Sequence, residues 1–78
     1  MPRYLVHNAV TPFTGLPYNG PAMKEAGYAE DAVADFESLD QATECADKLH
    51  AVVESGWLVV HSFNERVLYD SRANQRVG

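Results

Sequence analysis

The stretch Ser38–Gly56 (SLDQATECADKLHAVVESG) decides the fold. Ser38 is a favourable helix N-cap with Gln41 three residues on, and Gly56 is a favourable stop. Between them, apolar residues recur at spacings of three and four, which predicts one buried helix face: Leu39, Ala42, Ala46, Leu49 and Val53. We therefore predict an amphipathic helix of about 17 residues.

The segments on either side of this helix predict strands. Arg3–Val10, Trp57–Phe63 and Arg66–Ser71 are all rich in strand-forming residues. The Asn64–Glu65 pair predicts a two-residue turn that joins the last two strands into a hairpin. Tyr28–Glu37 fits a strand or a helix; we favour an edge strand, because acidic residues on an edge discourage further strand pairing.

Proline and glycine dominate residues 11–27 and predict a long loop there. Apolar side chains of the loop, such as Phe13 and Tyr18, either pin it onto the core or present a binding surface. Residues 72–78 are polar and are expected to form a flexible tail. The chain is thus predicted to be a single α+β domain over residues 1–78. Its small antiparallel sheet of three to four strands packs on one amphipathic helix, in the order β-loop-β-α-β-β.

Composition narrows the class of protein. The chain has 78 residues and is 46% apolar, which suits one small folded domain. A lone cysteine, Cys45, excludes an intramolecular disulfide framework and a Cys-rich zinc site. No apolar run approaches the roughly 20 residues of a membrane span. The N-terminus has no signal-peptide apolar region, so a cytoplasmic location without membrane contact is expected.

The charge of −5 is unevenly distributed along the chain. Residues 25–54 carry nine acids and one base, hence −8, whereas the remainder carries two acids and five bases, hence +3. Such asymmetry bears on partners rather than on fold. The net negative charge argues against direct binding of nucleic acid.

The acids of the predicted helix fall on one side. At 100° per residue, four carboxylates lie within an arc of about 80°, almost opposite the apolar stripe. They are Asp40, Glu44, Asp47 and Glu54, and Asp35 and Glu37 add to the same field. This ridge is either an ordinary solvated face or a surface that binds a basic protein partner.

The predicted hairpin has an apolar face that must be covered by another part of the chain or by a partner. A two-residue turn pairs Phe63 with Arg66 and places four apolar residues on one face: Trp57, Val59, Phe63 and Leu68. The helix can cover only one face of the sheet. We expect the other face to be covered by the long loop, including Phe13 and Tyr18, or by a second copy or another protein.

The sequence contains no motif that points to catalysis. Cys45 is predicted to lie mid-helix beside the apolar stripe, where a thiol is inert. The three histidines are spread over two strands and the helix, without the clustering of metal ligands. No nucleophile elbow or phosphate-binding glycine loop is present. We therefore expect a non-enzyme with no catalytic residue, metal or cofactor.

The segment Glu37–Ala42 (ESLDQA), followed by Ala46, resembles the start of the helix in some type I anti-CRISPR proteins of phages and mobile elements. The order of elements is similar as well. The resemblance implies a non-catalytic inhibitor, acting in the host cytoplasm, that binds a crRNA-guided surveillance complex or its nuclease. The member with the closest motif has a basic working surface. This acidic chain is instead expected to occupy a basic groove that otherwise holds nucleic acid.

A different class of function fits the same features. The chain could be a small interaction or regulatory module, such as an antitoxin-like protein or accessory subunit. Such a module would form a homodimer through the C-terminal hairpin.

Overall fold

The computed structural model describes residues 3–10, 15–72 and 75–76. An antiparallel sheet in the order β2-β1-β3-β4-β5 packs against one main helix, which confirms the predicted α+β class. The elements are β1 Tyr4–Asn8, α1 Ala22–Glu25, β2 Asp35–Phe36, α2 Leu39–Val52, β3 Trp57–His61, β4 Val67–Asp70 and β5 Gln75–Arg76. The short β5 lies within residues 72–78, where we expected a tail without regular structure.

The main helix, α2, begins as predicted and ends early. The Ser38 side chain accepts a hydrogen bond from the Gln41 amide at 3.4 Å, as expected of the N-cap. The helix has 14 residues because Val53 adopts an extended conformation. Gly56 follows with a φ of 99°, in the left-handed region that favours glycine. A Cβ there would meet the Arg72 side chain, which is exposed and can move aside, so the φ rather than this contact is what favours glycine.

The core lies between α2 and one face of the sheet. Of the predicted apolar stripe, Ala42, Ala46 and Leu49 are buried and Leu39 is partly buried, whereas Val53 is 38% exposed beyond the helix end. Opposite the helix, alternate strand residues are buried, as expected for side chains that share a sheet face. The fully buried side chains of this cluster include Val6, Met23, Cys45, Leu49, Trp57 and Val59.

The second strand is much shorter than predicted. Only Asp35–Phe36 pairs with β1, although its place at the sheet edge agrees with the prediction. The reason is that the Tyr18 backbone forms hydrogen bonds with both Val6 of β1 and Ala34. Its amide donates to Val6 O at 2.8 Å, and its carbonyl accepts from the Ala34 amide at 2.8 Å. The loop backbone therefore takes hydrogen bonds that a longer β2 would have made.

The predicted hairpin register is wrong. The observed pairs are Leu58 with Asp70, Val59 with Tyr69 and Val60 with Val67, so a bulge leaves Leu68 as the extra residue. The turn is also wider than two residues, because the Glu65 amide donates to the His61 carbonyl at 2.8 Å. Phe63 consequently lies in the turn rather than in a strand.

The predicted long loop contains a one-turn helix, α1, and is held against the core. Met23 of α1 is fully buried. The Tyr18 ring packs edge-on against Trp57 at 4.7 Å between centroids, and its hydroxyl accepts from the Ala22 amide at 3.2 Å. Leu16 remains 69% exposed. Phe13 lies outside the described residues.

Candidate protein-binding surface

The acids of residues 25–54 are displayed on elements that pack together. Both α1 and β2 contact α2. Apart from Asp35, which is half-buried, every acid of this segment is exposed. The acids that are close together along the chain are therefore also close together on the folded surface.

Two acids of the predicted ridge are exposed on the outer side of α2, Asp40 and Glu44. Glu44 forms an ion pair with Lys48 one turn later, at 3.0 Å between charged atoms. Both side chains are largely exposed, so this pair stabilises the helix by only a few tenths of a kcal/mol. The Lys48 ammonium also lies 5.4 Å from the centre of the Tyr28 ring.

Two members of the predicted ridge do not belong to it. The Asp47 carboxylate accepts a hydrogen bond of 2.5 Å from the Tyr69 hydroxyl, so Asp47 is tied to the sheet although it is exposed. Glu54 lies in the turn after α2, where helical spacing no longer sets its direction. We use the name acidic surface for the exposed acids Glu37, Asp40 and Glu44, with half-buried Asp35 beside them on β2.

The predicted hairpin interface is also corrected. Trp57 and Val59 have no exposed surface, because they form the core beneath α2. Leu68 is half-buried at the bulge, and Tyr18 is half-buried against Trp57. Of the described members, only Phe63 is an exposed aromatic, with 89% of its surface accessible.

The sheet face away from α2 is apolar at its centre. Leu5 of β1 and Val60 of β3 alternate with the core residues and are 8% and 1% exposed. His7 is buried beside them, and burial lowers its pKa. The second apolar face predicted for the sheet therefore exists, although it comprises different residues from those predicted.

Cys45 occupies the environment expected of an inert thiol. It is fully buried in the core, and burial raises its pKa to about 11 despite the nearby Tyr28 hydroxyl and Lys48 ammonium. Burial, followed by the proximity of Cys45, likewise raises the pKa of Tyr28. Both groups stay protonated at neutral pH, so neither is an activated nucleophile there.

A polar contact that sequence reasoning missed joins α2 to the end of β4. Ser71 Oγ lies 3.1 Å from His50 Nδ1 and accepts a hydrogen bond of 2.8 Å from the Trp57 amide. The Ser71 amide donates in return to the Trp57 carbonyl at 2.9 Å. Ser71 is only 7% exposed, and its contacts fix the start of β3. Its partners are distant in sequence, so local spacing contains no signal for the contact.

Two features are absent from the described residues, a cluster of metal ligands and a membrane-spanning helix. Within residues 3–10, 15–72 and 75–76, no group of three or more histidines, cysteines and acids is arranged to hold a metal ion. Among the same residues, no helix has both the length and the apolar character needed to cross a bilayer.

Comparison with known proteins adds no family. No protein-family model, curated protein or solved structure matches the chain.

Proposed function

We propose that this chain is a non-catalytic protein-binding inhibitor whose acidic surface contacts a basic, nucleic-acid-binding surface of its partner. One observation carries the proposal. The inner side of α2 is buried in the core, while Asp40 and Glu44 on the same helix are exposed to solvent. The helix is therefore a rigid support from which the acids can meet a partner without refolding.

Charge complementarity gives this surface a way to select its partner. A single exposed ion pair contributes little, but several acids together create a field that speeds encounter and orients the two proteins. Salt weakens such a field, since the screening length is about 8 Å at physiological ionic strength. Binding should therefore be tighter at low salt.

The partner that we propose is a crRNA-guided type I surveillance complex or its nuclease. The support is the resemblance of Glu37–Ala42 to the helix start of type I anti-CRISPR proteins. This segment holds the Ser38 cap and two acids of the acidic surface, Glu37 and Asp40. The segment that carries the resemblance thus also contributes acids to the proposed contact with the partner.

The direct test is inhibition of target-DNA binding by a purified type I surveillance complex. Wild-type protein is expected to lower the fraction of labelled DNA bound. Glu44→Lys should weaken inhibition about three- to tenfold at low salt and less at high salt. The matched control is Glu65→Lys, which makes the same charge change in the exposed β3–β4 turn and should inhibit like wild type.

The possible outcomes test the proposed target and the proposed contact surface separately. If wild-type protein leaves DNA binding unchanged, the surveillance complex is the wrong target. If wild type inhibits and both variants inhibit equally well, the acidic surface is not the contact. Circular dichroism should show all three proteins to be folded, because Glu44 and Glu65 are exposed.

A second function is favoured by one observation, the 89% exposure of Phe63. An exposed aromatic on a turn is a suitable anchor for a second copy, as in a small regulatory dimer. Because Trp57 and Val59 are buried, only the end of the hairpin remains available for this role. Sedimentation velocity over a range of concentrations tests it: Phe63→Asp should abolish any dimer, and a monomeric wild type contradicts this function.

A further inference from the structure

The β3–β4 turn, residues 62–66, holds its backbone firmly although its surface is exposed. The Ser62 amide donates to Arg3 O at 2.7 Å, and the His61 amide donates to Arg66 O at 2.9 Å. Within the turn, the Glu65 amide donates to His61 O at 2.8 Å. The turn is therefore anchored to β1 and closed on itself, which gives exposed Phe63 a defined position.

One hydrogen bond of the turn depends on a titratable group. The Phe63 amide donates to His61 Nδ1 at 3.1 Å. A backbone amide can only donate, so Nδ1 must carry a lone pair and the imidazole must be neutral, with its proton on Nε2. The same ring contacts Tyr4 and Phe63 edge-on, with centroids 5.6 and 6.5 Å away.

Charged residues lie on each element next to His61. Arg3 immediately precedes β1, whereas Glu65 and Arg66 lie in the turn, where each shares a backbone hydrogen bond with His61. On α2, which packs against β3, the first turn carries Asp40. Tyr4 of β1 is the titratable group in ring contact with the imidazole. The geometry of the Phe63 amide, rather than any one of these charges, links the ring's protonation state to the turn.

We propose that the β3–β4 turn is a pH-sensitive switch in which neutral His61 holds Phe63 in place and protonated His61 releases it. Protonation puts a hydrogen on Nδ1, directly facing the amide hydrogen of Phe63. Two donors cannot share the contact, so the amide turns to solvent and the tip of the hairpin loosens.

The test is amide hydrogen exchange of the full chain, followed by NMR at pH 7.5 and pH 5. The protection factor of the Phe63 amide, corrected for intrinsic exchange, should fall roughly two- to tenfold at the lower pH, as for loss of one net hydrogen bond. The Arg66 amide is a control in the same turn. It donates to Asn64 Oδ1 at 3.0 Å, an acceptor that does not titrate, so its protection should stay constant.

Two substitutions isolate His61 from the other histidines. His61→Asn places an amide oxygen where Nδ1 lies and should keep Phe63 protected at both pH values. His61→Phe keeps an aromatic ring but removes the acceptor, so Phe63 should be poorly protected at both. The switch is refuted if wild-type Phe63 protection is independent of pH. It is equally refuted if the Asn variant retains the pH dependence, or if Arg66 loses protection in parallel with Phe63.

Discussion

Trp57 begins β3, Phe63 lies in the turn two residues beyond the end of that strand, and the two side chains have opposite surroundings. Trp57 has no exposed surface, whereas Phe63 is 89% exposed. The Trp57 ring meets Tyr18, its indole nitrogen donates to Val53 O at 2.9 Å, and its amide donates to Ser71. The Phe63 ring meets the His61 ring edge-on, with centroids 6.5 Å apart.

The difference shows that alternation along a strand predicts burial only as far as the strand extends. Residues 57, 59, 61 and 63 would share one face of a long strand. The strand ends at His61, however, and Phe63 enters a turn that α2 does not cover. Stability is therefore concentrated at the Trp57 end, which leaves the Phe63 end available for contact with a partner.

The largest effect is expected from truncation of Trp57. Trp57→Ala removes a fully buried ring and should lower the free energy of unfolding by about 3–5 kcal/mol. Small domains have about 5–15 kcal/mol in total, so a substantial unfolded population is expected. Urea unfolding should be followed by circular dichroism. Tryptophan fluorescence is lost in this variant, because Trp57 is the single tryptophan of the chain. A loss below 1 kcal/mol would contradict its place at the centre of the core.

A smaller loss is expected when the support of Trp57 is removed. Ser71→Ala leaves the buried Trp57 amide without its 2.8 Å acceptor and should lower the free energy of unfolding by about 1–3 kcal/mol. Stability equal to that of wild type would show that Ser71 is not a structural acceptor.

A substitution of Cys45 tests the part of the same core that α2 contributes. Cys45→Ala should lower the free energy of unfolding by at most about 1–2 kcal/mol and leave partner binding intact. With its pKa raised to about 11, the native thiol should react with iodoacetamide at pH 8 more than about 100-fold more slowly than the unfolded chain. Rapid alkylation of the folded protein would place the thiol outside the core.

The smallest effect on stability is expected at Phe63. Phe63→Ala should change the free energy of unfolding by less than about 0.5 kcal/mol, because an exposed ring loses little on truncation. In the same urea series, Trp57→Ala provides the matched aromatic truncation at the start of β3. A loss above 2 kcal/mol for Phe63→Ala would mean that Phe63 is core as well.

Local spacing was enough to predict α2 and its inner face. The Ser38 cap and the apolar stripe depend on neighbours within a few residues along the chain, and the place of Cys45 beside that stripe predicted its burial. The strand regions around β1, β3 and β4 also followed from their composition, and so did the edge position of β2. These features are local because turn geometry and helical periodicity act over three or four residues.

Only the tertiary structure decided which side chains remain available. Tyr18 shortens β2 through contacts with Val6 and Ala34, and the bulge at Leu68 shifts the hairpin register. Asp47 leaves the acidic ridge because it meets Tyr69, 22 residues away. Such contacts join residues that are distant along the chain, and their geometry depends on how the sheet and helix pack. The sequence therefore determined the scaffold, its uneven charge and the exposure of Glu44, whereas the packing of distant segments determined that Asp47 is tied to the sheet and that Phe63 faces solvent while Trp57 does not.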